Sequence, residues 1–207
     1  MIKTAFSSFF YTEQLQPKSM TMKKFLRQIF LEVDDISSQD KAGQDWSKKN
    51  YLNGYTSYAS VNSIQKISPT FQELEKLIDV HVKKYANFLD YDLCGVPLRM
   101  STCWINIMPT NAYHGLHIHP LSVISGTFYV QVPKGASAIK FEDPRLGYFM
   151  GQPARKPKCK EKNLTHMAIP AEPGKLALFE SWQKHEVPIN GTPGDRISIS
   201  FNYEWGE

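Results

Sequence analysis

The hydrophobic repeat of this chain changes period near residue 96, and that change limits the fold more than any other feature. Before it, apolar residues recur roughly every 3.6 positions, the repeat of a helix face. After it the period is 2. The runs VPLRMSTCWINIM, SGTFYVQVP, SAIKFEDP, KLALFES, KHEVPI and RISISFNYEW are short and rich in β-branched and aromatic residues. Successive side chains of an extended strand point to opposite faces, so such runs read as strands. Pro-Gly, Asn-Gly and Gly-Asp turn signals bound them, and several short strands spaced this way predict an antiparallel sandwich or barrel. The fold class is mainly β with α, with helices packed outside an all-β core.

The N-terminal part reads as a short strand followed by two helices. Residues 20–34 place Met22, Phe25, Ile29 and Phe30 on one face, with Thr21 as the cap. In residues 69–90, Phe71, Leu74, Leu77, Ile78, Val82 and Tyr85 form a second apolar stripe. The segment between, QDWSKKNYLNGYTSYAS, is polar and turn-rich; it reads as loop with one hairpin at Asn53-Gly54. No repeat or linker-like stretch divides the 207 residues, so one domain, 1–207, is expected: a helical part over 1–95 and the β core over 96–207. A chain of this length buries about 70% of its unfolded surface and needs no disulfide staples. The three cysteines, Cys94, Cys103 and Cys159, form no C-x-x-C pair, and their odd count fits a reducing, cytoplasmic setting. No run approaches the roughly 20 apolar residues of a membrane-spanning helix, and the N-terminus reads as mature sequence. The net charge of +4 gives no ground for a nucleic-acid partner.

Four of the six histidines, His114, His117, His119 and His185, lie in the β half. Residues two apart on a strand share a face, so His117 and His119 can grip one ion together. His185 opens a distant strand and can supply the third ligand of a facial triad, leaving up to three positions open. Imidazole suits iron, copper, zinc and nickel alike, so spacing does not choose the metal. His114 is separated from His117 by Gly115, which breaks the strand between them, and is expected beside the ligands or on the surface.

The last strand alternates cleanly. Arg196, Ser198, Ser200 and Asn202 share one face; Ile197, Ile199, Phe201 and Tyr203 share the other. The plain reading is a half-buried strand with a solvated polar face. The sharper one is that the Arg196 guanidinium and the Ser198 hydroxyl clamp a carboxylate beside the metal.

Taken in order, H-I-H at 117–119, S-G-T-F-Y-V at 125–130, F-E-D-P-R at 141–145, P-G-K-L-A-L-F-E-S-W at 173–182, His185 and R-I-S-I-S-F-N at 196–202 resemble the 2-oxoglutarate/iron(II) oxygenases related to prolyl hydroxylases. The resemblance covers the C-terminal half. It implies a double-stranded β-helix, or jelly roll, with iron(II), 2-oxoglutarate and dioxygen as cofactors of a hydroxylase that releases succinate and carbon dioxide. His117 and His185 match the two histidines of the family's H-x-D/E…H triad. Arg196 and Ser198 match its R-x-S pair for the distal carboxylate of 2-oxoglutarate, and Tyr129 lies where a further hydroxyl is often supplied. His119 departs from the pattern, standing where a carboxylate is usual. His114, Trp104, Asn106 and Asn202 are expected around the ligands or against substrate.

Two rival functions stand at this stage: a cupin-type three-histidine metalloenzyme that does not use 2-oxoglutarate, and a non-enzymatic β-sandwich binding module. The expected partner is a small molecule or a peptide, and a homodimer stays open. Residues 146–170 read as a long loop, with Arg155, Lys156, Lys158, Lys160 and Lys162 as a solvated cluster or as a patch for an anionic substrate.

Overall fold

The structure is a computed structural model and describes residues 1–206. Its elements in chain order are β1 (Phe10–Gln14), α1 (Met22–Gln39), α2 (Lys41–Asn50), β2 (Tyr55–Thr56), α3 (Pro69–Phe88), β3 (Arg99–Met108), β4 (His114–His117), β5 (Ile124–Gln131), β6 (Ile139–Glu142), β7 (His166–Ile169), β8 (Lys175–Glu180), β9 (His185–Val187) and β10 (Arg196–Glu204). Two antiparallel sheets face each other, one ordered β1-β8-β5-β10-β3-β2 and the other β4-β9-β6-β7. The strand pattern predicts the antiparallel sheets, and their arrangement is the double-stranded β-helix that the resemblance implies.

Local chemistry fixes the helices. The Thr21 hydroxyl accepts from the Lys24 amide at the start of α1, and the Ser68 hydroxyl accepts from the Phe71 amide at the start of α3, where Pro69 occupies the first turn. Phe25, Ile29 and Val33 of α1 and Leu74, Ile78, Val82 and Tyr85 of α3 are buried against the outer face of the large sheet. There they meet Ile105, Phe128, Leu176, Leu178, Ile197, Ile199, Phe201 and Tyr203. A second, smaller apolar cluster lies between the sheets and includes Met108, Ile139, Phe141, Phe179 and Val187. Gly126 of β5 sits where a Cβ would meet the Phe201 ring at 2.5 Å and the Ala177 carbonyl oxygen at 2.7 Å, so this strand tolerates no side chain there.

Three sequence-based expectations change. The segment read as loop with a hairpin contains α2 and the two-residue β2, which pairs with β3 and not with a hairpin partner. Only two residues of α2, Gly43 and Ser47, are buried, so no apolar stripe announced it. What holds it is Asp40, whose carboxylate accepts from the Gly43 amide and from the Tyr55 and Ser60 hydroxyls. The loop 146–170 is shorter than it reads, because His166–Ile169 pairs with β6 as an edge strand. Finally, Gly115 does not break β4. His114 lies opposite Val187 and His117 opposite His185, a register shift that sets three residue steps against two.

Candidate active site

That register shift decides the geometry. Residues three apart on a regular strand face opposite ways; the extra residue in β4 turns His114 and His117 to one side. Their rings stack with centroids 4.4 Å apart. His119 lies beyond the end of β4, held by its amide donating to the Ser181 carbonyl. His117 and His119 therefore meet through a strand end and the turn after it, not through regular alternation. Centroids of His117 and His185 are 4.2 Å apart, and each is 5.1 Å from His119. One ligand nitrogen from each of the three lies within 4.8 Å of the others, a separation that one ion can span.

The tautomers follow from the backbone. Nδ1 of His117 donates to the Gly115 carbonyl at 2.7 Å, and Nδ1 of His185 donates to the Gln183 carbonyl at 2.9 Å. A carbonyl only accepts, so the protons sit on Nδ1 and the Nε2 lone pairs are free to bind a metal. Burial disfavours the charged ring. It lowers the pKa of His117, and, with the neighbouring imidazoles adding to it, lowers those of His114, His119 and His185 to about 3. All four rings are neutral at neutral pH. Phe179 and Phe141 back His185 at 4.6 and 5.7 Å, and Trp104 stands 5.8 Å from His119.

Behind the imidazoles lies a narrow chamber of about 30 Å³, whose walls include Asn106, Ile139, Arg196, Ser198 and Ser200. The polar face of β10 is thus not solvated: Arg196 and Ser198 are each 2% exposed. Arg196 donates Nε to the Ser137 carbonyl at 3.1 Å and approaches Ser198 Oγ at 3.5 Å, while its guanidinium lies 5.0 Å over the Tyr129 ring. Among the described residues it has no carboxylate partner. Removing one partner of a buried charge costs about 3–5 kcal/mol, so such a group ordinarily has a counter-ion. Among the described residues, three of the four buried polar side-chain atoms that lack a hydrogen bond belong to its neighbours: Tyr51 Oη, Tyr129 Oη and Asn106 Oδ1. Burial raises the pKa of both tyrosines while the Arg196 charge draws it down, which marks both hydroxyls as near the guanidinium.

Residues 102–202 match the profile of the family described as "Putative 2OG-Fe(II) oxygenase". The match runs from β3 into β10, just under half of the chain, and over that stretch the chain is similar to this family. Among solved structures, a Pseudomonas putida prolyl-4-hydroxylase superposes with a TM-score of 0.64 at 11% identity, covering 97% of this chain and 95% of that one. The epimerase SnoN from nogalamycin biosynthesis, described as non-heme and alpha-ketoglutarate-dependent, gives 0.60 at 14% identity, with coverages of 95% and 76%. HygX from Streptomyces hygroscopicus, solved with nickel and 2-oxoglutarate, gives 0.59 at 13% identity, with coverages of 95% and 83%. At these identities the likeness shows the shared fold. No curated protein sequence matches.

The other site candidates separate into two groups. Trp104 and Asn106 line the cavities, as His114 does. Asn202 does not: it accepts from Ser125 and donates to Thr102, tying neighbouring strands together. His81 on α3 is hydrogen-bonded through Nδ1 to the Tyr11 hydroxyl of β1, and exposed His166 starts the edge strand β7; neither lines the cavities. Sequence reasoning missed Tyr51. It is one tyrosine in a segment without periodicity, and only its buried, partnerless hydroxyl reveals it.

Proposed function

We propose that His117, His119 and His185 hold iron(II) through Nε2 and that Arg196, Ser198, Tyr51 and Tyr129 hold the distal carboxylate of 2-oxoglutarate. The single observation that carries this reading is the buried Arg196, which has no carboxylate of its own and stands among unpaired hydroxyls behind three neutral imidazoles. A dianion supplies what each group lacks. Its carboxylate accepts from the guanidinium fork and from both phenols. With the Asn106 amide turned over, Nδ2 donates to the anion as well, and its oxygen accepts from Ser200. Three neutral imidazoles leave iron its full +2 charge, which the dianion cancels. The chamber is tight, so an entering oxoacid shifts the side chains that line it.

Iron(II), 2-oxoglutarate and dioxygen together supply oxidative decarboxylation to succinate and carbon dioxide, with the second oxygen atom delivered to a substrate C–H bond. The chain's part is position and exclusion of water. Backbone carbonyls fix the imidazole tautomers, Phe141 and Phe179 keep the back of the cluster dry, and Arg196 sets the oxoacid's direction. A cupin-type centre without 2-oxoglutarate leaves Arg196 and its hydroxyls without a role, and a binding module leaves four convergent neutral histidines without one. We place the activity in a reducing, cytoplasmic setting, as three free cysteines support.

The test is succinate formation from 2-oxoglutarate under air with added iron(II), followed by NMR. Slow succinate release is expected even without substrate, and His185→Ala should abolish it together with iron retention. Succinate release that is unchanged in His185→Ala, or absent from iron-loaded protein, overturns the proposal.

A further inference from the structure

A second cavity of about 420 Å³ opens in front of the imidazoles and shares Trp104, His114, His117 and His119 with the inner chamber. Its volume is that of a small-molecule site, which typically spans about 300–1,000 Å³. The two cavities differ in charge. The inner chamber holds one guanidinium, whereas among the described residues no aspartate, glutamate, lysine or arginine lines the outer cleft. Aromatic rings line it instead. Trp46 and Tyr51 come from α2 and its end, Tyr58 follows β2, Trp104 stands on β3 and Tyr113 precedes β4. Tyr58 meets Trp104 edge-on at 5.1 Å, and Trp104 in turn adjoins His119.

Trp46, Leu52, Tyr58, Tyr113 and Ile118 are each between 37% and 61% exposed and gather on this one concave mouth. Scattered exposed apolar residues are ordinary; a contiguous group around a cavity marks a binding surface. Its polar handles are few, and some are already used: Asn50 Nδ2 donates to the Trp46 carbonyl, and Thr56 Oγ1 accepts from the Tyr58 amide.

Resting on the function proposed above, we infer that the substrate is a small uncharged molecule that presents a flat or ring-shaped apolar face to Trp46, Tyr58 and Trp104. A charged group in this cleft loses hydration and gains no counter-ion. A ring gains buried area and edge or face contacts with the aromatic walls. The division of labour is then by charge: the anion goes inward to Arg196, and the neutral substrate stays outside against the rings, with its reacting carbon toward the histidines.

The test uses three probes that share one ring: 3-methylindole, tryptamine and indole-3-acetate. Each is titrated by calorimetry into anaerobic protein loaded with iron(II) and 2-oxoglutarate. The neutral probe should bind at least about tenfold more tightly than either charged one, and Trp46→Ala, a change at an exposed helix position, should weaken it about fivefold or more. Equal affinity for all three, preference for a charged probe, no binding of any, or an unaffected Trp46→Ala variant overturns the inference. If 2-oxoglutarate itself does not bind in the loading step, it is the proposed function that fails.

Discussion

The two faces of β10 alternate in the same way and are both buried, yet they do opposite things. One face, Ile197, Ile199, Phe201 and Tyr203, is packed under α1 and α3. The other turns Arg196, Ser198 and Ser200 to the chamber between the sheets and buries Asn202 beside it. The apolar face is complete: its partners are the helices, and it stabilises the fold. The polar face is complete at Ser200, which accepts from Asn106, and at Asn202, whose two hydrogen bonds tie strands together. At its Arg196 end a charge and two phenols are left over. If that side serves the proposed oxoacid, substitutions on the two sides should have separable consequences.

The largest effect is expected on the apolar face. Phe201→Ala removes a fully buried ring and should cost about 3–5 kcal/mol in urea unfolding, with the affinity of the folded protein for 2-oxoglutarate unchanged. Across the strand the outcome reverses. Arg196→Met replaces an uncompensated buried charge by a side chain of similar shape, so stability should hold or rise by about 1–4 kcal/mol. The affinity for 2-oxoglutarate should nevertheless fall by about 2–5 kcal/mol, at least some thirtyfold.

Acid should strike the same side. In metal-free protein, folded His114, His119 and His185 titrate near 3, whereas the unfolded chain takes up protons near 6.5. The unfolded state then binds more protons between these values. The stability that these groups contribute is intact above pH 6.5 and is lost progressively as the pH falls toward 3; a unfolding free energy flat over that window would contradict the neutral cluster. The smallest effect is at the phenols. Tyr51→Phe and Tyr129→Phe should each weaken 2-oxoglutarate by about 1 kcal/mol, roughly fivefold, and leave stability level or slightly higher because a partnerless buried hydroxyl is gone.

Much of this was legible before the structure. The period-2 runs gave the antiparallel sheets, and the stripes of α1 and α3 gave the helices that cover the large sheet. H-x-H with a distant histidine pointed to one convergent cluster, although the route differs: β4 ends at His117, and the register shift that brings His114 round has no sequence signal beyond Gly115. The burial of Arg196 was not legible, because alternation on a central strand looks the same whether its polar face meets water or another sheet. Helix α2 and the Tyr51 it positions were hidden for a related reason. Their order comes from the Asp40 hub and from pairing with β3, both tertiary, and not from an apolar period.

The most direct measurement is an anaerobic calorimetric titration of 2-oxoglutarate into iron(II)-loaded protein, comparing the wild type with Arg196→Met at matched iron content. The predicted result is one oxoacid per chain in the wild type and at least thirtyfold weaker binding in the variant, with iron retained by both. Equal binding by the two, or none by a folded, iron-loaded wild type, would contradict the assignment of Arg196 as the counter-charge of the oxoacid.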